Sequence, residues 1–288
     1  MKRVSAPDGD AGPARILPAA RRVVLAAESP RLAPYLALPG PFDVVCLPWP
    51  ELLAELPARP PSTVVLLDLP AFAAGDERVA AVRAVTAAAP LLPVLGLLPF
   101  TPEHAATLER LLAAGISDVA DTQIERDAGA LLPRLLRVHA QPFQRRVEQG
   151  LSPFVSQNAL TLLRAAAHVA VDRGNADDLA RLFGAGERTV AGWCAREGLP
   201  APRRLLAWLR ALLALALLEE PRRTVLSCAR AAGFANDHPL RRSLRELLGG
   251  GDEPPRGRRF GDAQAVLGEE LAELRARARK LRRLPQGA

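Results

Sequence analysis

From Arg21 onward, short apolar runs alternate with longer segments whose apolar residues recur every three or four positions. The runs Val23–Ala27, Phe42–Leu47, Val64–Leu67, Leu92–Leu98 and Ile116–Ala120 are bounded by proline, glycine or charge. Continuous apolar runs of this length mark strands buried on both faces of a parallel sheet. The stretches between them, Arg31–Leu38, Glu51–Leu56, Asp76–Ala89, Pro102–Ala114 and Ile124–His139, read as helices. Strand and helix in alternation predict a five-stranded, doubly wound α/β unit over residues 20–140. Residues 1–19 mix Pro, Gly, Ala and charge, and disorder is expected there.

From Pro142 the strand pattern stops and everything onward reads as helix. Residues 141–152 are expected to be a linker, followed by an all-α unit over 153–250. That unit opens with a helix at Pro153–Asp172 and has a long central one at Pro202–Leu218. Gly249-Gly250-Gly251 and Pro254-Pro255 close it. Residues 251–288 then form a second linker and a basic amphipathic helix, Asp262–Leu284.

Between Ala176 and Gly249 one plan occurs twice: short helix, glycine turn, second helix. The first copy runs through Asp177–Phe183, Gly184-Ala185-Gly186 and Glu187–Arg196; the second through Thr224–Ala232, Gly233–Asp237 and His238–Leu248. A helix-turn-helix presents a recognition helix to the DNA major groove in this way, so two copies predict contacts with two neighbouring groove segments. In the second copy Gly233 can take the left-handed conformation that ends a helix, with Phe234 as an apolar plug. Pro239 falls in the first turn, where its missing N–H costs nothing. Leu240, Leu244, Leu247 and Leu248 form an apolar stripe, which leaves His238, Arg241, Arg242 and Arg245 for DNA. In the first copy Val190 and Cys194 are the core pair with Trp193 beside them, leaving Arg188, Thr189 and Arg196 outward. Gly192 inside this helix costs about 1 kcal/mol relative to Ala. The joining helix, at about 1.5 Å per residue, spans about 25 Å, so the two recognition helices can approach the ~34 Å separation of successive major-groove faces.

The charge distribution strengthens this picture. Residues 1–140 carry 13 Lys+Arg against 15 Asp+Glu, whereas residues 141–288 carry 25 against 16. The basic excess that favours phosphate polyanions thus sits on the half with the repeated plan. No stretch reaches the ~18–20 apolar residues of a membrane span, and the N-terminus has no apolar signal-peptide core. Cys46, Cys194 and Cys228 are scattered and odd in number, which fits a reducing, cytoplasmic compartment without disulfides or a zinc site. Neither a GxGxxG after the first strand nor a P-loop nor a nucleophile motif occurs, so no enzymatic activity and no cofactor are expected.

Residues 176–249 resemble the DNA-binding domain of AraC/XylS-type transcription regulators. The likeness rests on Pro202, Leu205-Leu206, Arg210, Ala214 and Leu217-Leu218 along the joining helix, then on Thr224-Val225, Cys228-Ala229 and Gly233-Phe234. The chain departs from that pattern at Leu240 and Leu244, where the family carries aromatics, and in its glycine-rich first turn. The resemblance implies a regulator that binds double-stranded DNA and engages RNA polymerase. The N-terminal half is similar to response-regulator receiver domains, which have a flavodoxin-like fold and dimerise. Asp68, in Val64-Val65-Leu66-Leu67-Asp68, stands where receivers carry the phosphoacceptor. That chemistry needs Mg²⁺ on paired acids, a hydroxyl and a lysine. Here Ala27-Glu28 leaves one acid, Leu98 stands at the hydroxyl position and Thr122 at the lysine. Glu28 and Asp68 are the carboxylates the resemblance would place at a metal, and none is expected to be held. The expected function is a phosphorylation-independent, sequence-specific transcription regulator. The alternatives are a phosphorylation-controlled two-component response regulator and an interaction scaffold that does not bind DNA.

Overall fold

The computed structural model describes residues 22–38, 42–73, 75–220, 223–249 and 255–283, with 281–283 described as backbone only. The stretch 1–19, expected to be disordered, lies outside the described residues. Strands β1 (Arg22–Ala27), β2 (Phe42–Leu47), β3 (Val64–Asp68), β4 (Val94–Leu98) and β5 (Asp118–Asp121) form one sheet. Their order is β2-β1-β3-β4-β5 and every pairing is parallel. Between the strands run α1 (Trp49–Glu55), α2 (Gly75–Ala88), α3 (Ala105–Ala113) and, after β5, α4 (Ala128–Val138). Successive strand residues serve opposite faces. Leu25, Val65, Leu67, Val94 and Leu98 pack with Leu52, Val82, Val85 and Leu111 of α1–α3. Val24, Val64, Leu66, Leu95 and Leu97 pack with Leu32, Tyr35, Leu131 and Leu135 on the other side. Both faces are covered, which is why the central strands β1, β3 and β4 are near-continuous apolar runs. Gly96 lets the faces close: a Cβ there would lie 2.6 Å from Leu69 Cδ1 and 2.8 Å from Ile116 Cδ1.

Among the described residues eight α-helices follow: α5 (Gln141–Leu151), α6 (Gln157–Val171), α7 (Ala176–Leu182), α8 (Glu187–Glu197), α9 (Pro202–Leu218), α10 (Val225–Ala231), α11 (Asp237–Leu248) and α12 (Phe260–Arg283). They share one apolar core that extends from Ala140 to Leu271 and takes in Leu91 of the sheet unit. α9 is its axle, with 13 of its 17 residues buried, so other elements cover it on every side. The coarse expectation of a parallel α/β sheet followed by helices is met.

Several boundaries differ. The strand expected from Leu92 begins at Val94, just after Pro93, and the one expected from Ile116 begins at Asp118. The helix expected at Arg31–Leu38 is a 3-10 segment, Pro30–Tyr35, with Pro34 inside it, which removes an α-helical hydrogen bond. The helix expected from Ile124 starts only at Ala128, capped by Asp127, whose side chain accepts from the Ala130 N–H. The linker expected at 141–152 is the helix α5. Pro142 lies in its first turn, where proline is tolerated, and Phe143, Val147 and Leu151 bury one face. Ala140, at φ 64°, breaks the chain between α4 and α5. The C-terminal helix, expected as basic and amphipathic from Asp262, begins at Phe260 and buries Phe260, Ala263, Leu267 and Leu271 in the helical core. α12 lies against α5, the first helix of the unit, and Gln264 donates to the carbonyls of Arg146 (3.0 Å) and Val147 (2.9 Å).

The sheet unit and the helical unit meet through a buried polar cluster. Arg22, at the start of β1 and 1% exposed, pairs with Asp172 at 2.5 Å. Asp172 follows α6 and also accepts from Nε2 of His139, 2.7 Å away. The His168 ring lies edge-on to His139, with centroids 4.9 Å apart. Two further bonds join the units: Arg145 donates to the Ser117 carbonyl (3.2 Å) and Arg223 to that of Arg59 (2.8 Å). Burial lowers the His139 ring and pushes His168 to about 3, the neighbouring His139 and Arg22 charges adding to the second shift. Burial by itself raises Asp172. The hydrogen bond from His139 and the Arg22 guanidinium outweigh it and hold the carboxyl well below the carboxylate range.

Two outcomes follow for this junction. Asp172→Ala leaves a buried guanidinium unpaired and is expected to cost about 3–5 kcal/mol in denaturant unfolding at neutral pH. The unfolded chain protonates both histidines below about pH 6.5, whereas the folded chain keeps His168 neutral down to about 3. The His168 contribution to stability therefore falls by up to about 1.4 kcal/mol per pH unit as pH drops through that window, and His139 acts in the same direction. The Asp172 contribution, present above about pH 3.9, is lost last. His168→Gln should flatten the pH slope of the unfolding free energy.

Candidate nucleic-acid interface

The first helical pair is built by α7 and α8. Asn175 caps α7 by accepting from the N–H groups of Asp177 (2.9 Å) and Asp178 (3.2 Å), and Asp178 accepts in return from the Asn175 N–H (2.7 Å). Gly184, at φ 61°, turns the chain and Gly186 starts α8. Val190 and Cys194 are fully buried, and Trp193 stands edge-on to Phe183 at 5.7 Å between centroids. That packing turns Arg188, Thr189, Gly192 and Arg196 to solvent.

The second pair repeats the logic. Thr224 and Ser227 cap α10 reciprocally, both at 3.1 Å. Gly233 takes φ 87°, and a Cβ on it would touch Cβ of Arg173 at 3.3 Å. Asn236 caps α11 through the His238 N–H at 3.0 Å. Leu240, Leu244 and Leu247 bury the inner face of α11, and His238, Arg241, Arg242 and Arg245 are exposed. Arg241 lies 3.2 Å from Asp237 and Arg242 3.8 Å from Glu246, both along the helix. Exposed pairs of this kind contribute at most about 1 kcal/mol, so a phosphate or a base edge can displace them. All seven residues expected at DNA thus lie on the exposed faces of α8 and α11.

α9 joins the pairs and packs against all four of their helices. Its Arg210 donates to the carbonyls of Gly174 (2.6 Å) and Arg173 (3.3 Å) in the turn before α7. The turn 172–174 therefore touches the sheet unit through Asp172, the second pair through Arg173, and α9 through its carbonyls. Sequence reasoning missed this turn and the residues around it. Its one local signal is the spacing of His168 and Asp172, four positions apart on one helix face.

At the carboxyl end of the sheet, Asp68 is buried and Ser29 Oγ donates to its Oδ2 at 2.5 Å. Asp121 Oδ1 accepts from the N–H groups of Phe100 (3.1 Å) and Gln123 (3.0 Å). Glu28 is exposed and Leu98 fully buried. The Thr101 hydroxyl lies 3.0 Å from His104. Among the described residues, no Lys or Arg pairs with Asp68. Tyr35 donates to the Glu125 carbonyl at 2.7 Å, and burial, followed by the charges of Glu125, Asp68 and Asp127, pushes its hydroxyl pKa up.

His139, His168 and Asp172 converge closely enough to hold a metal ion. Arg22 NH2 lies 2.5 Å from Asp172 and 3.5 Å from His168 Nε2, so the cation this cluster holds is a guanidinium. No family model, curated protein or solved structure matches the chain.

Two glycines, Gly192 within α8 and Gly198 at its end, separate conformation from contact. Gly192 has nothing within 4 Å of an added Cβ, so Gly192→Ala should stabilise the fold by about 0.5–1 kcal/mol. Gly198 has φ 72°, and its Cβ would lie 2.7 Å from the Arg275 Cα. Gly198→Ala should destabilise by more than that gain, and thermal melts of the two variants should shift in opposite directions.

Proposed function

We propose that this chain is a sequence-specific DNA-binding transcription regulator, non-enzymatic and cytoplasmic, with α8 and α11 as its recognition helices. The observation that carries the reading is the paired arrangement on α9. Two capped helix–turn–helix units bury matching apolar stripes against one rigid helix and turn arginines outward from both. Arginine is the side chain best fitted to bidentate contact with guanine or phosphate. The length of α9, about 25 Å, suits two neighbouring groove segments. The resemblance to AraC/XylS-type regulators supports the same reading and suggests RNA polymerase as a partner.

The sheet unit is read as a flavodoxin-like, receiver-like module that works without phosphorylation. The strand order supports the fold, since 2-1-3-4-5 is the flavodoxin-like doubly wound order, with its ligand site where β1 and β3 diverge. Asp68 lies at that point with a hydroxyl partner and, among the described residues, no Lys or Arg paired with it to neutralise a phosphoryl group. The module would act as a homodimerisation surface or as the holder of the DNA-binding half.

Selection from a random duplex pool at moderate salt should return a preferred site. Arg241→Ala and Arg242→Ala should each then cost about 1–3 kcal/mol for a base contact they make. Return of no preferred sequence would refute the reading in favour of a scaffold. Incubation with Mg²⁺ and a small phosphodonor should give no mass shift and no change in DNA affinity. A response that disappears in Asp68→Asn would favour the phosphorylation-controlled regulator.

A further inference from the structure

Beyond Arg275 the described side chains of α12 are mostly exposed, and the charge of this end is one-sided. Up to residue 273 the helix is anchored. Leu267 and Leu271 are fully buried. Glu270 accepts from Arg204 (2.7 and 2.8 Å) and from the Trp208 indole (2.9 Å). At Arg275 the backbone passes directly over Gly198, the residue that ends α8. Position 275 is thereby fixed against the carboxyl end of the first recognition helix. From Leu274 to Arg283 the chain has six basic residues, Arg275, Arg277, Arg279, Lys280, Arg282 and Arg283, and no acidic one. The acids of this helix, Asp262, Glu269, Glu270 and Glu273, all precede that stretch. Arg277, Arg279 and Lys280 are exposed, and only alanines stand between the basic residues from 275 to 280.

We propose that this end of α12 is a clamp for the phosphate backbone of duplex DNA, on the flank next to the groove segment faced by α8. The inference rests on the DNA-binding reading above. Charge complementarity selects the occupant: a rigid cationic rod with no large apolar side chain from 275 to 280 offers a polyanion ion pairs and offers a protein groove no anchor. From 275 to 283 the helix covers about 12 Å, the length of three or four phosphate steps at about 3.4 Å each. Because α12 abuts α8, the clamp is one-sided: it extends the footprint beyond the first half-site and leaves the second unchanged.

The test uses the full chain, its selected site and a random-sequence duplex. Extending the α8-side flank by about five base pairs, ~17 Å at 3.4 Å per step, should tighten binding severalfold, and the same extension on the other side should not. The triple substitution Arg277→Ala, Arg279→Ala and Lys280→Ala should abolish the flank effect. It should weaken binding to both duplexes alike and reduce the slope of log affinity against log salt by about two to three. Circular dichroism should confirm that the variant stays folded, since the three positions are exposed and alanine suits a helix. Specific binding with no flank effect and an unchanged salt slope overturns the clamp but leaves the recognition helices standing. A severalfold effect on the random duplex without any preferred site keeps the clamp and removes sequence-specific reading. Absence of binding to either duplex removes both.

Discussion

A carboxylate carried into a dry junction has to be matched there, and Asp172 is matched by a guanidinium that arrives from the far end of the chain. Arg22 opens the first strand and Asp172 closes the first long helix of the helical unit, with His139 bonded to the same carboxylate. Two ions removed from water are stable only when paired and hydrogen-bonded. The sheet unit and the helical unit are therefore held in a defined relation by a contact that tolerates little displacement. Apolar packing around Leu91 fills space at this junction, but apolar contacts are non-directional, and the ion pair sets the register.

What Asp172 fixes is passed on by its neighbours. Arg173 takes φ 59°, a left-handed conformation unusual for a residue with a side chain, and supports Gly233 at the turn of the second helical pair. The carbonyls of Arg173 and Gly174 face outward to receive Arg210 from α9. Three consecutive residues thus connect the sheet, the joining helix and the glycine turn of the second helical pair. Between β1 and the second helical pair the path is short: Arg22 to Asp172, then Arg173 to Gly233.

The strands were legible in the sequence because a parallel sheet covered on both sides leaves no polar alternation to confuse the pattern. The helical pairs were legible because their glycine turns and apolar stripes are local. Legibility failed where one residue type carries two meanings. Pro142 reads as a break, yet in the first turn of α5 it begins a helix. The arginines at the end of α12 mark the helix as basic, yet Phe260, Ala263, Leu267 and Leu271 in the turns before them form a buried seam. The junction cluster was hidden for another reason: Arg22, His139 and Asp172 are separated by up to 150 positions, and nothing in the local spacing of an arginine at a strand start announces its partner. The exposed arginines of α8 and α11 could be placed because the opposite faces of those helices are so clearly apolar.

The contact of α5 with α12 has a bearing on how the chain is made. The first and last helices of the helical unit lie side by side, and the Gln264 side chain closes onto the backbone of α5. A ribosome adds about 5–20 residues per second. On the order of ten seconds therefore separate the emergence of α5 from that of the helix that covers it. The sheet unit can be complete while α5 and α9 still lack their last apolar neighbour. A stall or an early stop before Leu271 would release a chain with a finished front half and an open helical core.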